Sequence, residues 1–363
     1  MTTATALPKT MPAIVCHGPE DYRLEEQPIA PLCPGEVLVQ ILRAGVCASD
    51  LKCWHGAPLF WGDENRTGYA ETPCIAGHEF VGRVVALGEG AADKTGLAIG
   101  DLAVSEQIVP CWNCRFCTRG QYWMCQVHDI YGFKKYLPGA MAGYMTFPAK
   151  AIVHKVPADL PPEFGAVIEP LACSLHAVQR ARIELGDVVV VSGCGTLGLG
   201  MVGAAKLYNP ARLIALDLMP HRLQAAMKMG ADTALNPAET DVIEVVRDMT
   251  DGYGCDVYIE AAGHPDSVVQ GLHMIRRLGR FVEFSVMGEP VTVDWTIIGD
   301  SKELDIYGSH LGPYCYPVVI DLMQSGKIDP TPIVTHSLPL DQFERAFQMM
   351  LTGDTSIKVQ LEP

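Results

Sequence analysis

The sequence predicts an α/β protein in two parts, a mainly β domain followed by a doubly wound parallel sheet. Three observations carry this. Residues 12–160 are rich in Gly, Pro and short alternating apolar runs. From about residue 165 the runs become continuously apolar, and each is followed by a helix-like segment. The first of these runs ends in a glycine-rich turn. Strands covered on both faces by crossover helices read as unbroken apolar runs, whereas strands with one wet face alternate. The 363 residues suit two domains at roughly 100–200 residues each.

In the first part, "EVLVQILRAGVC" and "EFVGRVVALGEG" alternate as strands do, and turn residues break them at short intervals. The second part opens on "FGAVIEPLACSLHAVQRA", which has helical periodicity. The apolar runs "DVVVVSG", "RLIALD", "DVYIEAAG" and "RFVEFSV" follow, with helix-like segments after them. After "ELDIYGSHLG" the pattern loosens. A final helix over about 340–351 places Leu340, Phe343, Phe347 and Met350 on one face, with Asp341 and Glu344 as its expected capping pair.

Composition narrows the function. With 48% hydrophobic and 19% charged residues, the chain can bury a sizeable core. A net charge of −15 argues against nucleic acid as the main partner. No run of about 18 apolar residues stands in the sequence, so no spanning helix is expected. The start "MTTATALPKTMPAIV" lacks a basic region followed by a long apolar run, and the expectation is a cytoplasmic protein. Thirteen cysteines in such a compartment are free or bound to metal.

"VVVVSGCGTLGLG" sets Gly193, Gly195 and Gly198 in the pattern G-x-G-x-x-G, after an apolar strand and at the start of a helix. Gly193 allows the tight turn, Gly195 lets a pyrophosphate approach the backbone, and Gly198 lets the helix pack close to the sheet. The free N–H groups of the helix start then hold phosphates. Asp217 ends the second strand, where a carboxylate bonds ribose hydroxyls and repels a 2′-phosphate, favouring NAD over NADP. The expected cofactor-binding residues are Gly193, Gly195, Thr196, Leu197, Gly198, Asp217 and Arg222.

Two metal sets stand out. Cys111, Cys114, Cys117 and Cys125 follow the spacing C-x2-C-x2-C-x7-C and suit one tetrahedral Zn²⁺ in a closed, structural site. An iron–sulfur cluster accepts four thiolates too, but nothing else suggests electron transfer. The second set is Cys47 in "GVCASD", His78 and Glu79 in "AGHEFVG", and Glu169 in "VIEPLA". One Cys, one His and one or two carboxylates leave a coordination position open, the pattern of a catalytic zinc.

These motifs, in this order and near these spacings, resemble the zinc-dependent medium-chain alcohol dehydrogenases from end to end. The resemblance implies a GroES-like β domain and a Rossmann domain, with the chain returning to the first domain at its C-terminus. The expected boundaries are 1–171 with 313–363 for the catalytic domain, its four-cysteine lobe at 109–126, and 172–312 for the Rossmann domain. It implies an active site in the cleft between the domains, with Cys47, His78 and Glu79 as ligands and Glu169 binding directly or through water. Glu169, followed by "PLACSLHA", is similar to the polyol, threonine and butanediol branch. "GSHLGPYCYP" and the long loop after His55 are most similar to the erythritol/L-threitol dehydrogenases. That implies hydride transfer from a secondary hydroxyl of a short polyol to NAD. The alternative is threonine or 2,3-butanediol. A homo-oligomer, dimer or tetramer, is implied as well.

The chain departs from many relatives where a relay histidine is usual. Lys52 stands there, and a histidine comes later at His55. Ser49 is placed to take the hydroxyl proton and pass it on through the cofactor ribose or His55, or it is a turn hydroxyl bonded to backbone. Trp54, Phe60 and Trp61 either wall the substrate pocket or pack the loop onto its own domain. Asp63 and Glu64 are candidate hydroxyl acceptors in that loop.

Overall fold

The computed structural model describes residues 7–363. The chain divides into two compact units, one running up to Glu169 and joined by Val334–Pro363, the other spanning Pro170–Ile333. The return to the first unit falls at Val334, not at 313. The segment between stays with the second unit because Cys315 Sγ donates to Gln179 Oε1 at 3.6 Å, and Gly312 lies against the backbone of Ala172 too closely for a Cβ.

In the first unit, Thr10–Gly18 pairs with Asp21–Pro28 and with the short strand Cys74–Ile75. A second, seven-stranded sheet is centred on Val37–Gly45, which pairs antiparallel with Glu79–Leu87. The last strand, Lys358–Glu362, joins the other side of Val37–Gly45, with Leu361 opposite Ala44. This pairing brings the C-terminal end of the chain beside the strand that leads to Cys47. Ile14, Val39, Phe80, Tyr131, Phe147 and Phe347 fill the core, all nearly or fully buried.

The final helix forms as Leu340–Gln342 in 3₁₀ form and then Phe343–Thr352 in α form. Leu340, Phe343 and Phe347 are buried, and Met350 packs against the same core. The expected Asp341–Glu344 cap does not form. The α-helical N-cap is Gln342, with no side-chain bond, because the preceding 3₁₀ turn already supplies the entry.

The second unit is a six-stranded parallel sheet. Its strands are Val188–Ser192, Arg212–Leu216, Thr233–Leu235, Cys255–Glu260, Ile275–Glu283 and Asp305–Gly308. Their spatial order is 3-2-1-4-5-6, counted within this unit. The order reverses between the first and fourth strands, where Ser192 is in register with Glu260. In open sheets of this kind ligands bind at the carboxyl ends of the strands beside that reversal.

Candidate active site

Cys47 follows the strand Val37–Gly45 and caps the helix Ala48–Trp54. Its backbone N–H donates to Asp50 Oδ2 at 2.9 Å, so a buried acid one turn along fixes the start of the helix. The other oxygen of Asp50 lies 3.3 Å from His78 Nδ1. One carboxylate therefore bonds the backbone of Cys47 and sets its charge beside the ring of His78. His78 and Glu79 arrive on the neighbouring strand, where Glu79 is opposite Gly45. A Cβ on Gly45 would collide with the Glu79 carboxylate, so the glycine makes the room that carboxylate occupies.

The ligand atoms of Cys47, His78 and Glu79 all lie within 4.8 Å of one another. Thiolate, imidazole and carboxylate together suit zinc, and three ligands leave its fourth position open. Burial works against charge on His78, but Asp50, and after it Cys47, outweigh it and raise the ring's pKa well above its ordinary value. Ser49 Oγ is 3.2 Å from His78 Nε2, which brings that hydroxyl to the site.

Three supporting residues carried no signal in the sequence. Lys358 Nζ donates to both oxygens of Glu79, at 2.9 and 2.6 Å, and to Val46 O at 2.9 Å. Burial opposes its charge, but Glu79, Cys47 and Glu169 raise its pKa. A lysine inside the apolar run "SIKVQLEP" was the one hint available. Asp50 is the second. The third is Gln107, whose Nε2 donates to Glu169 Oε1 at 2.6 Å. Glu169 is buried but stands outside the three-residue ligand cluster.

The two relay candidates separate. Half-buried Lys52 lies in the field of Cys47, which opposes the lowering of its pKa by burial. The contacts of His55 run instead to Glu20, 3.8 Å away, and to the ring of Trp54. The aromatic loop packs onto its own unit. Trp54 meets Phe347, and Trp61 Nε1 donates to Cys53 O at 2.6 Å. Phe60 stacks on Phe133 at 4.9 Å, and Phe133 in turn lies 5.3 Å from the His78 ring. Those two phenylalanines form an apolar wall beside the histidine. Asp63 is committed to its own hairpin, accepting from Asn65 N and pairing with Arg66, while Glu64 is exposed.

Cys111, Cys114, Cys117 and Cys125 bring their sulfurs within 4.8 Å of one another, with Cys114 and Cys117 at 3.5 Å. Backbone N–H groups, chiefly that of Cys117, pull the Cys114 thiol down to about 6, toward the thiolate a metal needs. The two short 3₁₀ turns Cys117–Arg119 and Tyr122–Met124 supply the chain reversals. Tyr122 OH donates to the buried Glu106 at 2.8 Å and anchors the lobe.

In the second unit the glycines have the backbone geometry of a tight strand-to-helix turn. Gly193 has φ +94, a conformation that side chains disfavour, and it lies against Ala261. A Cβ on Gly198 would strike Gly193 O. Gly195 faces nothing within 4 Å, which leaves space over the start of the helix Thr196–Lys206. Thr196 and Leu197 open that helix. Asp217 accepts from Cys194 N at 2.7 Å and Met219 N at 2.8 Å, so it stands at the glycine turn. Arg222 Nε is buried and has no hydrogen-bond partner among the described residues. An open glycine at a helix start and a buried guanidinium N–H without a partner among the described residues fit a dinucleotide.

Two family descriptions match the chain, "Alcohol dehydrogenase GroES-like domain" over residues 33–158 and "Zinc-binding dehydrogenase" over 196–325. The erythritol/L-threitol dehydrogenase of Mycolicibacterium smegmatis is 56% identical over 357 residues, 98% of this chain and 99% of that protein. The L-threonine 3-dehydrogenase of Pyrococcus horikoshii is 36% identical over 89% of this chain and 90% of its own length. The crystal structure of 2R,3R-butanediol dehydrogenase from Bacillus subtilis superposes with a TM-score of 0.86 at 28% identity, covering 97% of this chain and 99% of that one. With its β domain, its parallel sheet and a thiol–imidazole–carboxylate set at the end of two paired strands, the chain belongs to the zinc-binding medium-chain alcohol dehydrogenases, and it is a dehydrogenase.

Proposed function

We propose that the enzyme oxidises a secondary hydroxyl of a short polyol, L-threitol or erythritol, to erythrulose, with NAD as hydride acceptor and two zinc ions per chain. The observation that carries the substrate is the 56% identity, across both full lengths, to an erythritol/L-threitol dehydrogenase. In this reading Cys47, His78 and Glu79 hold the catalytic ion, with Glu169 binding it directly or through water, and Cys111, Cys114, Cys117 and Cys125 hold the structural one. A zinc ion held by Cys47, His78 and Glu79 would supply Lewis acidity toward the substrate hydroxyl.

The protein's own groups do the rest. Asp50 orients the His78 ring, a partner that typically fixes tautomer and ligand basicity. Lys358 balances the negative charge of the Cys47–Glu79 pair. Ser49 takes the departing hydroxyl proton while passing on its own, and Lys52, whose pKa burial lowers against the field of Cys47, receives that proton in its neutral amine form. Phe60 and Phe133 keep water from the histidine side. Asp217 selects NAD, since a carboxylate at that turn repels a 2′-phosphate. The family resemblance extends the reading to a cytoplasmic homo-oligomer, dimer or tetramer.

The 36% identity to a threonine 3-dehydrogenase and the likeness to a butanediol dehydrogenase support the runner-up substrates. The test is kcat/KM for L-threitol, erythritol, sorbitol, 2,3-butanediol and threonine, each with NAD and NADP. The tetritols with NAD should lead. A site built to bond a hydroxyl rejects its deoxy analogue by up to about 10⁴–10⁵. Threonine or butanediol ahead of both tetritols refutes the substrate, and a preference for NADP refutes the role of Asp217.

A further inference from the structure

Glu260 and Glu283 end the fourth and fifth strands of the parallel sheet, directly opposite one another. Neighbouring strands lie about 4.8 Å apart, and residues in register point to the same face. The two carboxyls therefore stand side by side. Each has one buried oxygen without a hydrogen-bond partner among the described residues, Oε2 of Glu260 and Oε1 of Glu283. An orphaned buried carboxylate oxygen is costly, and two beside each other add like-charge repulsion. One proton held between them removes both costs.

The proton belongs on Glu283. Glu260 is fully buried, and its Oε1 accepts from Ala262 N and Gly263 N, both at 2.9 Å, and from Ser267 Oγ at 2.8 Å. Donors in this number favour a carboxylate. Glu283 accepts from one, Ser285 N, while burial first and Glu260 second push it up to about 8. Other charged or titratable side chains of the packed elements are engaged elsewhere. His264 and Asp266, at the start of the helix Pro265–Met274, face each other at 3.7 Å and are exposed. On the edge strand, Asp305 accepts from Tyr307 OH at 3.0 Å. Arg280, on the strand of Glu283, donates to Asp187 at 2.6 Å, and Tyr258 OH donates to Ser267 O at 2.9 Å.

The pair bears on the glycine turn through the loop that Glu260 holds. The Ala261–Ala262 peptide abuts Gly193 so closely that no Cβ fits between them. Ala261 N donates to Ser192 O at 2.8 Å, which joins that loop to the strand leading into the turn. Gly263 lies against Ser285, whose N–H Glu283 accepts.

We propose that Glu260 and Glu283 share one proton, and that the pair positions the glycine turn, which loses its grip on the dinucleotide once the proton leaves. The inference rests on the reading of Gly193, Gly195 and Gly198 as the dinucleotide turn. With the proton in place, the O–H of Glu283 donates to Glu260 Oε2, and Glu260 holds Ala262 and Gly263 still. When the proton passes to solvent from the half-buried Glu283, two carboxylates stand in register and repel. The loop moves with Glu260, and the wall behind Gly193 moves with the loop. Proton loss and dinucleotide release are then linked, and by reciprocity a bound dinucleotide strengthens the pair's hold on its proton.

The test reads two quantities on the whole chain from about pH 6 to about pH 10, a window that spans the pair's titration. One is binding of ADP-ribose by calorimetry, a probe with the pyrophosphate but no nicotinamide. The other is the infrared carbonyl stretch of a protonated carboxyl. Wild type should show that band at neutral pH and lose it across about pH 8, and Glu283→Gln should lack it. If only the proton-sharing form binds, Kd rises about tenfold per pH unit above the midpoint. Glu283→Gln, whose amide donates to Glu260 at every pH, should give a flat binding profile. His310 follows the edge strand, and its titration remains in that variant, so the comparison separates the two. Excess ADP-ribose should move the wild-type infrared midpoint upward. A flat wild-type profile, wild-type and variant profiles that fall together, or no protonated-carboxyl band at neutral pH would overturn the proposal. ADP-ribose binding at no pH would overturn the reading of the turn, and the proposal with it, while the infrared band remained. Should Glu283→Gln not fold, Glu260→Gln also leaves a single carboxyl, and its profile must likewise be flat or the proposal is wrong.

Discussion

The two candidate metal sets of this chain are built in opposite ways. The four-cysteine lobe takes all its candidate ligands from residues 111–125, and backbone amides of the same stretch lower the Cys114 thiol. The Cys47–His78–Glu79 set takes its ligands from a helix start and a strand start, and its support from much farther away. Lys358 is 279 positions from the Glu79 it grips. A closed site satisfies its metal with its own ligands and needs little else. An open site must keep a thiolate and a carboxylate together while one position stays vacant, and that takes a buried cation and ordered second partners.

The contrast breaks most visibly by removing one ligand from each set. Cys114→Ser should cost the protein its fold around the lobe, because structural zinc contributes roughly 10–16 kcal/mol in small zinc-folded peptides. Cys47→Ser should keep the wild-type melting curve to within a few degrees and lose turnover. Circular dichroism melts and initial rates on the same preparations decide it. A Cys47→Ser protein that unfolds while Cys114→Ser stays folded reverses the two assignments.

A smaller effect comes from the cation. Lys358 and Glu79 are each 2% exposed at the side chain. Removing one partner of a buried pair typically costs about 3–5 kcal/mol, because the other charge stays behind. Lys358→Met should therefore destabilise the first unit by that order in denaturant titration. It should also lower metal retention at the Cys47 set and leave the lobe's metal in place. Unchanged stability would mean that Glu79 finds its balance elsewhere.

The smallest effect involves a carboxyl with no such cation. Glu283 ends its strand in register with Glu260, and its Oε1 has no hydrogen-bond partner among the described residues. Burial first, and Glu260 second, push it up to about 8. A carboxyl with a raised folded pKa binds more protons folded than unfolded, so stability falls as pH rises from the unfolded value to the folded one. Glu283→Gln should therefore gain on the wild type as pH rises from about 4.3 toward about 8, with no further relative change beyond either end. Partial exposure keeps the gain small. Thermal melts across that range read it, and a gap that widens as pH falls instead would contradict the sign.

What was legible in the sequence was local. The cysteine spacing, the glycine turn and the unbroken apolar strands each lie within a short stretch, and each stretch carries its own geometric demand. Cys47, His78 and Glu79 were legible as a set only through the order of motifs along the chain. Lys358, Asp50 and Gln107 were not, because each acts on a partner that no period or spacing in the sequence marks. The loop aromatics were ambiguous for the same reason. Trp54, Phe60 and Trp61 look alike whether they face a substrate or their own core; the contacts to Phe347 and Cys53 resolve Trp54 and Trp61 toward the core, while Phe60 packs on Phe133 beside His78. The boundary near 313 failed because Cys315 holds its segment to Gln179 through a contact 136 positions apart.

Two metal positions of opposite character in one chain should part under stepwise chelation. Zinc content, activity and folded fraction are followed together as a chelator is raised at neutral pH. One zinc per chain should leave first, taking activity with it while the fold remains, and the second should leave only as the protein unfolds. A single zinc per chain, or both ions leaving in one step together with the fold, would contradict it.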